Sequence, residues 1–562
     1  MKSTLRTILW IVTCLFLASG TGCKRPAGPV TGRDGMVVSA DRLASDIGLE
    51  VLRKGGNAVD AAVAVGFALA VVYPEAGNIG GGGFMVIRNP DGSSACVDFR
   101  EVAPRASFPK MYIGRGDASV DGLLAAGVPG TVDGLLTALE HYGSMALPAL
   151  LQPSIDLALD GFPVDPRLSS NLLEYRELLG KYPSTTKIFF REGRPLGAGE
   201  TLIQEDLGHT LERIREAGRE GFYRGRTAAL VASQMTAGAG FMDEEDLSSY
   251  EPRIRPTLRG RYRGYEVVTM GLPSSGGLCL LKALQLLEPF DLHGSGFHSA
   301  ESIHLITEAL KRSFSMRAAY LGDPAFVNVP LDSLLAQGPD GGGRFAMNPL
   351  QAVPAESLAA FPGVGREGTE TTHFAVIDRE GMAVSVSTTL NDLFGCKVVV
   401  DGAGFFLNDE MDDFVTVPGS SNMYGLVGGE ENMVEPGKRP LSSMSPTILV
   451  KNGKPVLILG ARGGARIISA VLQVILAVVD FDMAPGPAVS APRFHHQWNP
   501  DTLLFEHGAI TPEISADLLR RGHHLHELGS TVGQIEAIYI DPSTGVYVGA
   551  PDPREGGTAV AY

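Results

Sequence analysis

The residues best placed for chemistry sit in Glu370-Thr371-Thr372-His373-Phe374-Ala375-Val376-Ile377. A run from Phe361 to Thr369 precedes them, broken by Pro362, Gly363, Gly365 and Gly368 and without an apolar period, so it reads as a loop. Asp378-Arg379-Glu380-Gly381 then leads into a second alternating stretch, Met382 to Thr389. A three-residue loop closed by a left-handed glycine is a common hairpin connection. In that register Asp378 faces Met382 and Thr371 faces Thr389, with both hydroxyls on one face and within reach of each other. A threonine hydroxyl is a weak nucleophile that needs a neighbouring base. An α-amino group, with a pKa of about 7.7–8, is partly neutral near pH 7. Cleavage of the 370–371 bond puts such an amine on the residue that carries the hydroxyl, and Thr389 is placed to hold that hydroxyl. Taken alone, the stretch reads more simply as a plain hairpin with surface threonines, a residue type that strands favour.

Four other stretches carry chemical potential. Arg100 ends the strand read from Ala95 and suits a two-pronged grip on a carboxylate, or is an ordinary surface arginine. Asp409-Glu410-Met411-Asp412-Asp413 packs four carboxylates into five positions, which repel unless a cation is near. The spacing is not that of an EF-hand, and a solvated acidic turn is the plain alternative. Gly460-Ala461-Arg462-Gly463-Gly464-Ala465 turns a buried strand into a helix over 466–479. The first amides of a helix lack intrahelical partners and carry the positive dipole end, so Gly463-Gly464 reads as an anion or oxyanion site, or as a tight turn only. Ser442-Ser443 are turn residues or ligand contacts. His495-His496 and His523, His524 and His526 have no cysteine or carboxylate at a known ligand spacing, so they read as non-metal clusters.

These groups need a scaffold. The chain has 562 residues, 63 acidic and 47 basic, for a formal charge of −16, which argues against a nucleic-acid partner. Lys2 and Arg6 precede an apolar run from Ile8 to Ala18 and then small residues, the pattern of an export signal over 1–22. Gly20-Thr21-Gly22-Cys23 resembles a lipoprotein cleavage site, with glycine where an aliphatic residue is usual. An uncleaved anchor is the alternative. The five cysteines form no CxxC pair and no disulfide framework. Asp41 to Lys54 and Ala58 to Val72 read as helices, the second apolar on every side and so buried. Gly80 to Gly83 is a tetraglycine run that lets one backbone pass close to another, or to a ligand. Tyr262 to Met270 reads as one strand. Val417 to Pro440 reads as a long loop of the kind that serves as a lid.

In order along the chain, several of these elements form a recognisable set. It comprises Gly55-Gly56-Asn57-Ala58-Val59-Asp60-Ala61-Ala62, the tetraglycine run, Asp98-Phe99-Arg100-Glu101, Thr371-Thr372-His373 and Thr389-Leu390-Asn391. It continues with Met411-Asp412-Asp413-Phe414, Pro440 to Pro446 and Ala491-Pro492-Arg493-Phe494-His495-His496. The set resembles the gamma-glutamyltranspeptidase family of N-terminal nucleophile hydrolases, from Gly35 to Tyr562. The resemblance implies an α/β, four-layer αββα sandwich built from two chains cut from one precursor between Glu370 and Thr371: a large chain, 24–370, and a small catalytic chain, 371–562, forming a heterodimer. It implies Thr371 as nucleophile, Thr389 as its support and the amides of Gly463 and Gly464 as oxyanion donors. Arg100, Ser442 and Ser443 would bind the α-carboxylate of a γ-glutamyl donor. Asn391, Glu410 and Asp413 would bind its α-ammonium, and Tyr424 matches a lid tyrosine. The implied activity is γ-glutamyl transfer from glutathione or related compounds to water, amino acids or peptides, with no cofactor and no metal, in an exported protein of the bacterial periplasm or cell envelope, lipid-anchored if Cys23 is modified.

The chain departs from the family pattern in two places. Ala461-Arg462-Gly463-Gly464-Ala465 stands where Ser-Pro-Gly-Gly-Ser is usual, losing a hydroxyl and gaining a cation, and Arg462 is expected to draw carboxylate-bearing acceptors. Asp392-Leu393 replaces small hydroxyl residues. The nearest rival is a related glutaryl/cephalosporin acylase acting on glutaryl β-lactams; the glutaryl group lacks an α-ammonium and has no use for Glu410 and Asp413. A further alternative is an exported non-catalytic binding protein of the same fold.

Overall fold

The computed structural model describes residues 29–336, 346–358, 371–554 and 556–562. Two seven-stranded antiparallel sheets form its middle. One runs Val30–Gly32, Tyr547–Pro551, Gln534–Ile540, Lys454–Arg462, Thr447–Lys451, Tyr265–Thr269, Leu258–Tyr262. The other runs Thr558–Ala561, Gly35–Ser39, Thr372–Asp378, Ala383–Thr389, Gly82–Arg88, Ser94–Asp98, Arg253–Arg255. Side chains alternate between two cores, as a period of two requires: Val37, Phe374 and Val376 pack under the helices of the first 160 residues. Met36, Val38, Ala375 and Ile377 face the other sheet and the helices beyond it. The layers are therefore helix, sheet, sheet, helix, the αββα sandwich expected from the sequence.

Local chemistry explains the helices that frame the site. Asp41 caps Arg42–Arg53 by accepting from the Leu43 and Ala44 amides. Asn57 and Asp60 close a capping box on Ala58–Val72, all fifteen residues of which are buried. Arg466–Val479 has the expected bounds.

The central hairpin has the register read from its sequence. Thr372 pairs with Thr388 and Ile377 with Ala383, and the Asp378 amide donates to the Met382 carbonyl at 3.2 Å. One strand reading is corrected. Tyr262 to Met270 is not a single strand, because Arg263 and Gly264 adopt φ of 48° and 79° and fold Leu258–Tyr262 back on Tyr265–Thr269. Two consecutive left-handed residues make the tight turn that suits a twisted hairpin.

Both sheets interleave strands from before and after position 370, so neither part of the chain has a core of its own. The tetraglycine run is used for close backbone approach. A Cβ on Gly81 would collide with the Thr389 carbonyl and one on Gly83 with the Ser387 carbonyl. Gly81→Ala is therefore expected to destabilise the protein by about 1–3 kcal/mol, as overpacking does, and to displace Thr389; thermal unfolding and activity measured together check both.

Candidate active site

Continuing the register one step, Thr371 stands opposite Thr389 at the open end of the hairpin. Both are buried, at 4% and 3% exposure, which removes the reading of surface threonines. The Asn391 amide donates to Thr389 Oγ1 at 2.8 Å. Asn391 holds φ at 83°, a conformation that costs a non-glycine residue about 1–3 kcal/mol and persists where surroundings enforce it. Its Nδ2 donates to the Asp409 carbonyl at 3.0 Å. Glu370 and Cys23 lie outside the described residues, as does the loop over 361–369.

Two positioning residues escaped the sequence reading. Asn78 donates to the Thr389 carbonyl at 2.9 Å and accepts from the Gly81 amide at 2.9 Å and the Thr131 hydroxyl at 2.8 Å. It lies two residues before the tetraglycine run, but nothing local signals a partner 311 residues away. His373 bonds Ser387 Oγ at 2.9 Å through Nδ1, and its ring lies where a Cβ on Gly460 would fall. Burial lowers its pKa to about 3, so it is neutral at any working pH.

Arg100 is buried among carboxylates. Its guanidinium lies 2.5 Å from Glu410, 2.5 Å from Asp413 and 3.4 Å from Glu101. The acidic cluster is thus no solvated turn: Glu410–Asp413 is a 3-10 turn with Glu410 fully buried. The Glu410 contact meets the distance of an ion pair without hydrogen-bond alignment, and neither Glu410 oxygen has an aligned partner among the described residues. Burial, opposed by Arg100, pushes the Glu410 carboxyl well above its usual range and Glu101 up to about 7. Ser442 Oγ accepts from the Met444 amide at 3.1 Å, while Ser443 Oγ is buried without a partner among the described residues.

The loop after Phe414 folds onto this cluster. Tyr424 donates its hydroxyl to the Asn391 carbonyl at 2.5 Å, and its ring lies against Gly464. Asn422 donates to Asp413 at 2.8 Å, and the Met423 amide to Asp412 at 2.8 Å. Burial raises Asp412 to about 6. Gly463 and Gly464, at φ of 130° and 53°, lead into the helix, whose Arg466 amide donates to the Gly463 carbonyl at 3.0 Å. One small pocket is lined by Thr371, Thr389, Arg100, Asn391, Glu410, Asp413, Tyr424, Ser442, Ser443 and Gly464, together with Met444 and Ile467. Gly463 adjoins it.

Arg462 is corrected. It is 5% exposed, is not among the residues that line the pocket, and donates to the Tyr73 hydroxyl. A cation so engaged does not reach an acceptor. Of the histidines, His495 bonds Ser469 at 2.7 Å and His496 bonds Asp501 at 3.2 Å. Among the described residues no group of three His, Cys, Asp or Glu is arranged to hold a metal. Cys96, Cys279 and Cys396 are free and buried.

An αββα sandwich with a buried threonine opening a central strand, facing an acyl pocket and a Gly-Gly turn, defines an N-terminal nucleophile hydrolase. The sequence profile described as Gamma-glutamyltranspeptidase matches residues 44–562. The chain is 43% identical over 532 residues to the glutathione hydrolase proenzyme of Escherichia coli (strain K12), covering 94% of this chain and 91% of that one. Among solved structures, cephalosporin acylase from Bacillus halodurans superposes with a TM-score of 0.83 at 27% identity, covering 98% of this chain and 99% of that one. The Helicobacter pylori gamma-glutamyltranspeptidase is 43% identical with a TM-score of 0.52 over 52% of this chain and 86% of that one. The chain belongs to the gamma-glutamyltranspeptidase family.

The buried carboxyls predict a pH dependence. Glu101 binds its proton more tightly folded than unfolded, so its contribution favours the fold at low pH and is lost as pH rises from about 4.5 to about 7. Glu101→Gln removes that loss. The Tm of the variant, relative to the natural protein, is expected to rise across this window; thermal scans at pH 4.5 and 8 check the sign.

Proposed function

We propose that this chain cuts itself before Thr371 and then transfers γ-glutamyl groups, through an ester on the Thr371 hydroxyl, from glutathione or related amides to water, amino acids or peptides. One observation carries the reading: a single small pocket gathers the nucleophile, its hydroxyl partner, a buried arginine and two carboxylates from segments far apart in sequence. Its chemistry matches a donor that carries an α-carboxylate and an α-ammonium on the same carbon.

The donor's carboxylate takes Arg100 and the hydroxyls of Ser442 and Ser443, the last of which has no protein partner among the described residues. Its ammonium takes Glu410, Asp413 and Asn391. The donor thereby exchanges one set of charge pairs for another, and no charge is left bare in a buried site. This places the γ-carbonyl at Thr371. The liberated amine of Thr371 accepts the hydroxyl proton as Oγ attacks. The amides of Gly463 and Gly464 receive the developing oxyanion. The departing amine takes the proton, and water or an amine then attacks the ester. Tyr424, bonded to Asn391 and packed on Gly464, closes the pocket on the acceptor side.

The two products of the cut, 24–370 and 371–562, stay together as a heterodimer. The charged and apolar run before position 23 supports export to the periplasm or cell envelope, and Cys23 is the point of attachment if the chain is lipidated. Among the described residues no helix is long and apolar enough to cross a membrane.

The rival acylase reading is tested in the same pocket. The protein is expected to hydrolyse γ-glutamyl anilide in preference to glutaryl anilide. Asp413→Asn is expected to lower kcat/KM for the former by about 10–100-fold, the range of a hydrogen bond to a charged group, and to leave the latter unchanged. Mass spectrometry of the natural protein beside Thr371→Ala reads the cut, its dependence on Thr371 and any lipid; a Thr371→Ala chain that is still cut at 370–371 sinks the mechanism.

A further inference from the structure

The Arg462 position invites a different role from the one its charge suggests. Arg462 is the last residue of the strand Lys454–Arg462, and Gly463-Gly464 follows at once. Two consecutive glycines have little conformational preference of their own, so the direction of their amides depends on neighbours. Gly533 and the Tyr424 ring occupy two flanks of the turn, where a Cβ on Gly463 or Gly464 would meet them. Arg462 occupies the entry. Its guanidinium donates to the Tyr73 hydroxyl, with Arg462 at 5% and Tyr73 at 1% exposure.

Tyr73 is itself fixed. The Arg167 guanidinium lies 3.9 Å from the centroid of its ring. Arg167 pairs with fully buried Glu75 and, at 3.0 Å, with Asp165. Asn171 Nδ2 also donates to Glu75 at 3.3 Å. The Glu75 carbonyl accepts from the Phe394 amide at 2.9 Å, so the assembly also reaches the loop that begins at Asn391. Tyr73, Glu75 and Arg167 lie before position 370 and Arg462 after it, so the bridge joins the two parts of the chain.

We propose that Arg462 and Tyr73 act as one unit, a buried brace that holds the Gly463-Gly464 turn in its oxyanion-binding orientation. The inference rests on the reading of that turn as the oxyanion site. Arg462 and Tyr73 are positioning residues. Neither touches the donor, so their loss weakens stabilisation of the transition state and leaves ground-state binding alone.

The test is a double-mutant cycle on processed enzyme, with γ-glutamyl anilide as donor. Arg462→Met and Tyr73→Phe are each expected to lower kcat by about tenfold, less than the roughly 10²–10³ that a lost oxyanion donor costs. KM is expected to stay within about twofold, and the double variant is expected to be no slower than Arg462→Met, because partners in one contact are not additive. Tyr73→Phe removes one oxygen and keeps the ring beneath Arg167, so it carries the test by itself if Arg462→Met fails to accumulate. Multiplying effects, a KM rise at constant kcat, natural turnover in Tyr73→Phe, or a changed acceptor preference with unchanged hydrolysis would each overturn the brace. Thr371→Ala run alongside separates the two readings: if that protein is cut or active, the Thr371 mechanism fails, whereas natural kcat in Tyr73→Phe with Thr371→Ala uncut sinks only the brace.

Discussion

The close approach of two backbones at Gly80–Gly83 sets the position of everything at the site. The strand Gly82–Arg88 lies beside Ala383–Thr389, and side chains on the glycines would strike the carbonyls of Phe406, Thr389, Phe99 and Ser387. Only there can Asn78 reach across to the Thr389 carbonyl while holding the Gly81 amide. Thr389 is thereby fixed from its backbone, leaving its hydroxyl to face Thr371 and accept from Asn391. On the face turned to the other sheet, His373 fills the space above Gly460, which stands two positions before Arg462 and three before the Gly463-Gly464 turn. Thr371 and the Gly463-Gly464 turn are therefore spaced by the glycine strand at one edge of the hairpin and by the His373 ring on its face. Rigid packing of this kind permits little adjustment, and it explains why small residues and a neutral imidazole occupy these places.

The charged side of the pocket follows a different logic. Burying Arg100 among Glu410, Asp413 and Glu101 is a poor way to gain stability, since desolvation offsets most of the attraction. The raised carboxyls of Glu101 and Glu410 express that cost. The arrangement makes sense as a template. Under the proposed function, the protein's own cation and anions neutralise each other in the space that a zwitterionic donor would take.

What was legible in the sequence follows from the same distinction. The hairpin register was legible because strand period and turn length are local, and the Gly-Gly turn because a strand, two glycines and a helix stand in a row. The pocket residues were assigned through resemblance, and the fold brings them together. Asn78, His373 and the Tyr73–Arg462 contact were not legible, because each depends on a pairing across the fold; Tyr73 and Arg462 are 389 residues apart. Charge alone pointed Arg462 toward substrate, and only the direction of its side chain turns it inward. The strand over 262–270 was misread because nothing in Arg263-Gly264 announces two left-handed residues to a reader who counts apolar positions.

The topology also explains how a chain can be cut at its reactive centre and keep its shape. The strand Thr372–Asp378 is paired on both edges, with Gly35–Ser39 on one side and Ala383–Thr389 on the other. A new terminus at Thr371 is the end of a strand already locked in a sheet. Strands from before position 370 lie on both sides of the central hairpin, so the two products cannot separate without breaking that sheet. In the proposed mechanism the amine created by a cut before Thr371 would appear at a fixed place beside its own hydroxyl, its order supplied by folding before the bond is broken. An amine on a frayed terminus would lose that advantage, because effective concentration in an oriented site depends on geometry held to a fraction of a bond length.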